Sequence, residues 1–214
     1  MLLSRMRVCS MAHAIYTVYK KPNLDSSAVN NYRQISLLPF LSKILEKTVC
    51  DQMLQNILRN TLLEIKQCAY KPGHSTETAL LASQDYLWSA QEQGKVSALI
   101  LTDLSAAFDT VDHSVLVRRL KRSFSISDMA LAWIESYLLD RSFVVSYNSK
   151  VSTRRQITCG VPQGSVLGPL LFSCYVSPIQ DVIKKLTGAT HISYADDLQL
   201  IVSADSNPPH VVSN

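Results

Sequence analysis

The residues with the most chemical promise are carboxylates. In the run ISYADDLQLIV, residues 192–202, the adjacent aspartates Asp196 and Asp197 sit between two segments that alternate apolar and polar residues. That alternation describes two half-buried strands joined by a tight turn. Like charges at such a turn repel, so something positive should compensate them. Taken alone the pair is ordinary, because aspartate is common in turns for its own backbone hydrogen bonds. A third carboxylate makes it more than that. Asp103 closes the apolar run VSALILTDL, residues 96–104, and Asp109 follows on the adjoining turn with no obvious Lys or Arg partner nearby in sequence. A carboxylate on a buried strand is costly unless paired or metal-bound. With that strand beside the hairpin, Asp103, Asp196 and Asp197 form a cluster that only cations can stabilise. Oxygen-only ligands select hard Mg2+ or Mn2+ over zinc. Two such ions, roughly 3.5 to 4 Å apart, would clamp the attacking and leaving oxygens of an in-line phosphoryl displacement.

Positioning these carboxylates requires a mixed α and β framework, and the pattern supplies one. AIYTVY, Ala14 to Tyr19, reads as a strand ending at a Lys-Lys-Pro-Asn turn signal, followed by a polar loop to Tyr32. From Pro39, apolar residues recur every three or four positions (Leu41, Ile44, Leu45, Val49, Met53, Leu54, Ile57, Leu58), which predicts a core-facing amphipathic helix. After a Lys-Pro-Gly break at 71–73, TETALLASQDYLWSAQEQ predicts a second helix closed by Gly94. VSALILTDL reads as a buried strand. Helices are expected over Ser114 to Arg122 and Asp128 to Leu139, then strands at FVVSY and around Ser152 to Thr158. The turn Gly160 to Gly164 launches a long apolar helix from Leu167 to about Lys185, with a kink at Pro178.

Composition narrows the class. With 214 residues and 47% hydrophobic content the chain can bury one substantial core, with room for a second small lobe. No apolar run approaches the roughly 18 residues that would span a bilayer, so no membrane role is expected. Five widely spaced cysteines with no Cys-x-x-Cys pair predict reduced thiols. Arg5, Arg7 and His13 interrupt the N-terminus before a signal-peptide core develops. The net charge of +4 fits a polyanion partner without demanding one. Its cations fall in short clusters: Lys20 with Lys21; Arg118, Arg119, Lys121 and Arg122; Arg154 with Arg155; Lys184 with Lys185. Each cluster taken singly also fits a solvated helix face or loop end.

Five ordered blocks then resemble the reverse transcriptases of non-long-terminal-repeat (LINE-like) retrotransposons. NNYRQISLLPFLSKILEK is similar to that family's opening finger-region block and QCAYKPGHSTETAL to the next. LTDLSAAFDTVDH resembles polymerase motif A, CGVPQGSVLGPLLF motif B, and YADD the catalytic motif C. The resemblance implies that Asp103 and Asp196 ligate two Mg2+ ions (Mn2+ possible), that Asp197 completes the acidic cluster, and that the carbonyl of Leu104 adds a ligand. Phe108 stands where the family places a bulky side chain under the sugar, which favours deoxyribonucleotides; it also fits an ordinary core phenylalanine. Gln163 and Gly164 match the motif B turn, where glycine permits close backbone approach to the nascent base pair. Lys71 falls at a triphosphate-associated position, and Arg33 offers a second basic contact. Asp109 and Asp112 are read as structural or sugar-side.

The implied fold is α+β: a polymerase palm with an antiparallel sheet carrying motifs A and C, plus partial fingers and no thumb. Residues 1–19 form an N-terminal extension, 20–95 the partial fingers and 96–214 the palm. The implied activity is RNA-directed DNA polymerisation, with an RNA template, a DNA primer and deoxynucleoside triphosphates as partners. The implied location is intracellular, in the nucleus or a cytoplasmic ribonucleoprotein. Departures from the family include Gln34 for proline, Ala69-Tyr70 for Gly-Phe and Lys71 for arginine. With almost nothing after Val202, the reading expects a fragment or decayed copy. Two alternatives stay open: a non-catalytic nucleic-acid-binding relic, and a palm polymerase that makes RNA.

Overall fold

The computed structural model describes residues 12–206, except 20–22, 24, 26, 29, 30, 63–65, 105, 148 and 149. In chain order its elements are β1 (Ala12–Tyr19), β2 (Tyr32–Leu37), α1 (Phe40–Arg59), α2 (Thr76–Glu92) and β3 (Lys95–Asp103). There follow α3 (His113–Ser123), α4 (Asp128–Leu138), β4 (Ser142–Tyr147), β5 (Lys150–Val151) and β6 (Arg155–Gln156). Last come α5 (Gly168–Val176), α6 (Ile179–Ile183), β7 (Ala189–Tyr194) and β8 (Asp197–Asp205). This is the mixed α+β composition expected, with β2 added directly after the predicted polar loop. None of the described helices is long and apolar enough to cross a membrane. The Lys20–Lys21 pair and Cys9 lie outside the described residues; Cys50, Cys68 and Cys159 are free thiols.

Contacts divide the chain into two units, one from Met1–Leu62 and Ala106–Tyr175, the other from Leu63–Ser105 and Val176–Asn214. The linear boundary expected at residue 95 falls inside the second unit. In the first, the sheet runs β2-β1-β4-β5, with β6 also paired to β4, and β1 lies parallel to β4. Its core is helical: Ile57, Leu116, Leu120, Phe124, Ile134, Tyr137, Leu167, Leu171 and Phe172 are almost fully buried. Each such aliphatic or aromatic side chain contributes about 1.5–3 kcal/mol by leaving water.

Helix α1 departs from its apolar pattern. The buried stripe is Ser42, Glu46, Val49, Met53 and Ile57, whereas Leu41 and Ile44 are 71% and 47% exposed. The reason is polar. Glu46, with no exposed surface, accepts hydrogen bonds from the backbone N–H groups of Val166 (2.8 Å) and Leu167 (3.2 Å) and from the Ser42 hydroxyl (3.1 Å). A carboxylate placed at the unsatisfied N–H groups just before α5 also favours that helix electrostatically.

In the second unit, β3, β8 and β7 form an antiparallel sheet in that order. Helix α2 starts in a capping box, with Ser75 and Thr78 exchanging side-chain and backbone bonds. It packs on the sheet through Ala79, Tyr86 and Leu87, against Cys68, Ile192 and Ile201. Two predictions are corrected here. Strand β3 is exposed over most of its length, Leu101 to 70%, because it is an edge strand bonded only to β8 among the described residues. The long apolar helix is broken into α5 and α6, since Pro178 has no N–H to continue the ladder and instead caps α6.

Glu46→Ala orphans the buried Leu167 N–H and the half-buried Val166 N–H, and urea unfolding should show a loss of about 2–4 kcal/mol, with Glu46→Gln retaining part of the stability. Gly160→Ala should cost about 1–3 kcal/mol in the same assay. Its φ is +87°, and an added Cβ would stand 2.8 Å from the Asp109 carbonyl oxygen.

Candidate active site

Nine consecutive residue pairs lock β3 to β8 and end with Asp103 directly opposite Asp197. Opposed residues of an antiparallel pair project to the same face. Asp196 occupies the two-residue turn between β7 and β8, and its carbonyl accepts a hydrogen bond from the N–H of Leu104 at 3.2 Å. The structure places Asp103, Leu104, Asp196 and Asp197 at one end of one sheet. Asp103 and Asp197 are exposed and Asp196 half-buried, and none of the three forms an ion pair among the described residues. Like charges directly opposite on a sheet destabilise it. The donor set, all oxygen and anionic, fits a hard divalent cation. Among the described residues, no group of three His, Cys, Asp or Glu side chains is drawn close enough together to hold a metal ion as the chain stands.

The loop before α2 meets this end. Tyr70 adopts a left-handed backbone with φ +60°. Burial, followed by the charges of Asp196 and Tyr194, raises the pKa of its phenol. Lys71, the next residue, is half-buried. Gln67, which the sequence reading passed over, bonds to the turn itself. Between Lys66 and Cys68, a few residues ahead of the Pro-Gly break, it carried no local signal that marked it out.

The other predicted contacts belong to the first unit. Phe108 is half-buried and stacked on the buried ring of Phe172, centroids 4.8 Å apart. Gln163 donates from Nε2 to both carboxylate oxygens of Asp109, each at 3.3 Å. Partial desolvation raises the pKa of the Asp109 carboxyl, and the Gln163 bond opposes the shift. Both residues line a cleft of about 340 Å³ with Gln34, Ser36 and Cys159. Gly164 has φ +93°, and a Cβ there would come within 3.3 Å of the Ser36 carbonyl, so the turn closes directly on β2. Three bonds tie that turn to the segment after Phe108: Gly160 N–H to the Val111 carbonyl, Val161 N–H to the Phe108 carbonyl, and His113 Nε2 to the Gly160 carbonyl, each 2.7 Å. Arg33 lies in β2 opposite Val18. Asp112 has a structural place: it caps α3 by accepting from Val115 N–H at 2.9 Å. In the α3 cluster, Arg118, Lys121 and Arg122 are exposed, while Arg119 lies over the Tyr175 ring at 4.6 Å and bonds its carbonyl.

Known proteins resemble this chain in sequence and in fold. The probable RNA-directed DNA polymerase from transposon BS of Drosophila melanogaster is 31% identical over 193 residues, 86% of this chain and 21% of its own length. The RNA-directed DNA polymerase from mobile element jockey of the same species is 30% identical over 184 residues, 83% of this chain and 20% of its own. The chain thus spans about a fifth of the length of these curated relatives. Among solved structures, telomerase from Candida albicans matches 96% of this chain and 38% of its own with a TM-score of 0.63 at 13% identity. Apo telomerase from Candida tropicalis matches 90% and 44%, also at 0.63, with 12% identity. At such identities these two matches speak to the fold alone. Because the model of the reverse transcriptase (RNA-dependent DNA polymerase) family matches residues 19–213, taking in the acidic hairpin and both units, the chain belongs to that family.

Proposed function

We propose that this chain carries the nucleotidyl-transfer centre of an RNA-directed DNA polymerase, adding deoxynucleotides to a DNA 3' end on an RNA template and releasing pyrophosphate. One observation carries the reading: Asp103 faces Asp197 in register, with Asp196 beside it, at one end of a sheet. Members of this family generally use divalent metal ions. Here Asp103, Asp196, Asp197 and the Leu104 carbonyl would hold two Mg2+ ions, with Mn2+ as a substitute. When bound, such ions neutralise the charge that develops on the attacking and leaving oxygens.

The remaining roles fall to side chains. Lys71 and Arg33 supply positive charge for the triphosphate; lysine does so as a point charge without arginine's fork. Gln163 and Gly164 form the surface against the nascent base pair. Phe108, held by its stack on Phe172, is a wall that a 2'-hydroxyl would strike. Template and primer are gripped mainly by their phosphates, so binding weakens as salt rises. The setting that suits this reaction is intracellular, in the nucleus or a cytoplasmic ribonucleoprotein.

Primer extension on an RNA template with Mg2+ tests the proposal: the parent chain extends the primer and Asp196→Asn reduces extension to background. Equal extension by both would sink it, and RNA binding without extension by either would mark a non-catalytic relic. In the same assay Phe108→Val should raise ribonucleotide use relative to deoxyribonucleotide use by about tenfold or more. An unchanged ratio would remove Phe108 from sugar selection.

A further inference from the structure

The turn that presents the acidic pair is not an easy one for this sequence. Ala195 has φ +56°, the left-handed region that an alanine occupies only at a cost. Glycine or asparagine is the usual choice for such a position in a two-residue hairpin turn. Something outside the hairpin must therefore hold Ala195 where it is.

Gln67 does so with its side chain. It is 3% exposed. Its Oε1 accepts from the N–H of Ala195 at 3.2 Å and from the N–H of Ala69 at 3.0 Å, and its Nε2 donates to the carbonyl of Ala195 at 3.4 Å. One amide thus grips both polar groups of Ala195, as a neighbouring strand would. The amide orientation is dictated by this network, since a flipped group would point N–H at two N–H donors. The grip is anchored by the backbone on either side. Cys68 N–H donates to the Ser193 carbonyl at 2.8 Å, Ser193 N–H donates to the Lys66 carbonyl at 3.0 Å, and Gln67 pairs with Ser193 as a parallel bridge. All of these residues belong to the second unit.

We infer that Gln67 is a positioning residue for the acidic centre, holding Ala195 in its left-handed turn so that Asp196 and Asp197 present their carboxylates with Asp103 to a divalent cation. This rests on the function proposed above. Gln67 touches neither substrate nor metal; it acts through the Ala195 peptide. Orienting contacts of this kind typically change metal affinity by 10–100-fold when removed.

Mn2+ binding to the chain, followed by electron paramagnetic resonance at a temperature where circular dichroism shows it folded, tests the inference without activity. Gln67→Met keeps the side chain's length but none of its hydrogen bonds, and should weaken Mn2+ binding about tenfold or more. Adding Ala195→Gly, which removes the cost of the left-handed turn, should recover part of that loss. Equal Mn2+ affinity in parent and Gln67→Met would overturn the inference. Should Gln67→Met fail to fold, hydrogen exchange in the parent decides: a protected Ala195 amide supports the grip, and exchange at the rate of a free amide refutes it. Asp196→Asn separates this from the wider reading. If it leaves Mn2+ affinity untouched, the metal centre itself is wrong and the role of Gln67 falls with it.

Discussion

Strand β3 meets β8 through nine paired residues, and the side chains on each strand alternate between faces. A slip of one residue would carry Asp103 to the opposite side of the sheet from Asp197 and dismantle the acidic end in a single step. The register is held from within. Ser97 and Ser203 share a hydrogen bond of 2.7 Å across the pair, and Ile201 is wholly buried opposite Leu99. Ser83 on α2 reaches Gln199 at 2.5 Å, which ties the helix to the same strand. These contacts offset the roughly 0.2–1 kcal/mol by which two like charges set opposite each other oppose the pairing.

The first unit solves a comparable problem with backbone. Its Pro-Gln-Gly turn would be a loose loop were it judged by side chains alone. Instead it is stitched to the segment after Phe108 by its own N–H groups, closed on β2 through Gln163 and Gly164, and anchored at its far end by Glu46. Two of these devices require glycine, because a Cβ at residue 160 or 164 would press on a carbonyl. Glu46 is an expensive solution, since a buried carboxylate is tolerated only while its donors remain. It also explains why α1 turns a polar pair inward and leaves leucine and isoleucine in water.

Much of this was legible in the order of residues. Alternation around Asp196 and Asp197 foretold the hairpin, because a strand's period of two survives in any context that covers one face, and the apolar run ending at Asp103 foretold a strand. The Lys-Pro-Gly break and Gly94 bounded α2 closely, since such breaks are local chemistry. What escaped was set by tertiary partners. An apolar run cannot announce whether it will be central or at an edge, so β3 was expected to be buried. The inward face of α1 was misread because the apolar count favoured Leu41 and Ile44, and nothing local reveals that Glu46 has amides waiting 120 residues away. Gln67 was overlooked for the same reason: its partner lies 128 residues on.

The bare edge of β3 has a colloidal consequence. Leu99, Ile100 and Leu101 are 44%, 45% and 70% exposed on a strand whose outer backbone groups have no sheet partner among the described residues. Such an edge is a template for intermolecular strand addition. Strand addition of that kind would run along the very strand that ends at Asp103. Crowding and aggregation would then act on the acidic centre directly, through the one strand that both supports it and faces outward.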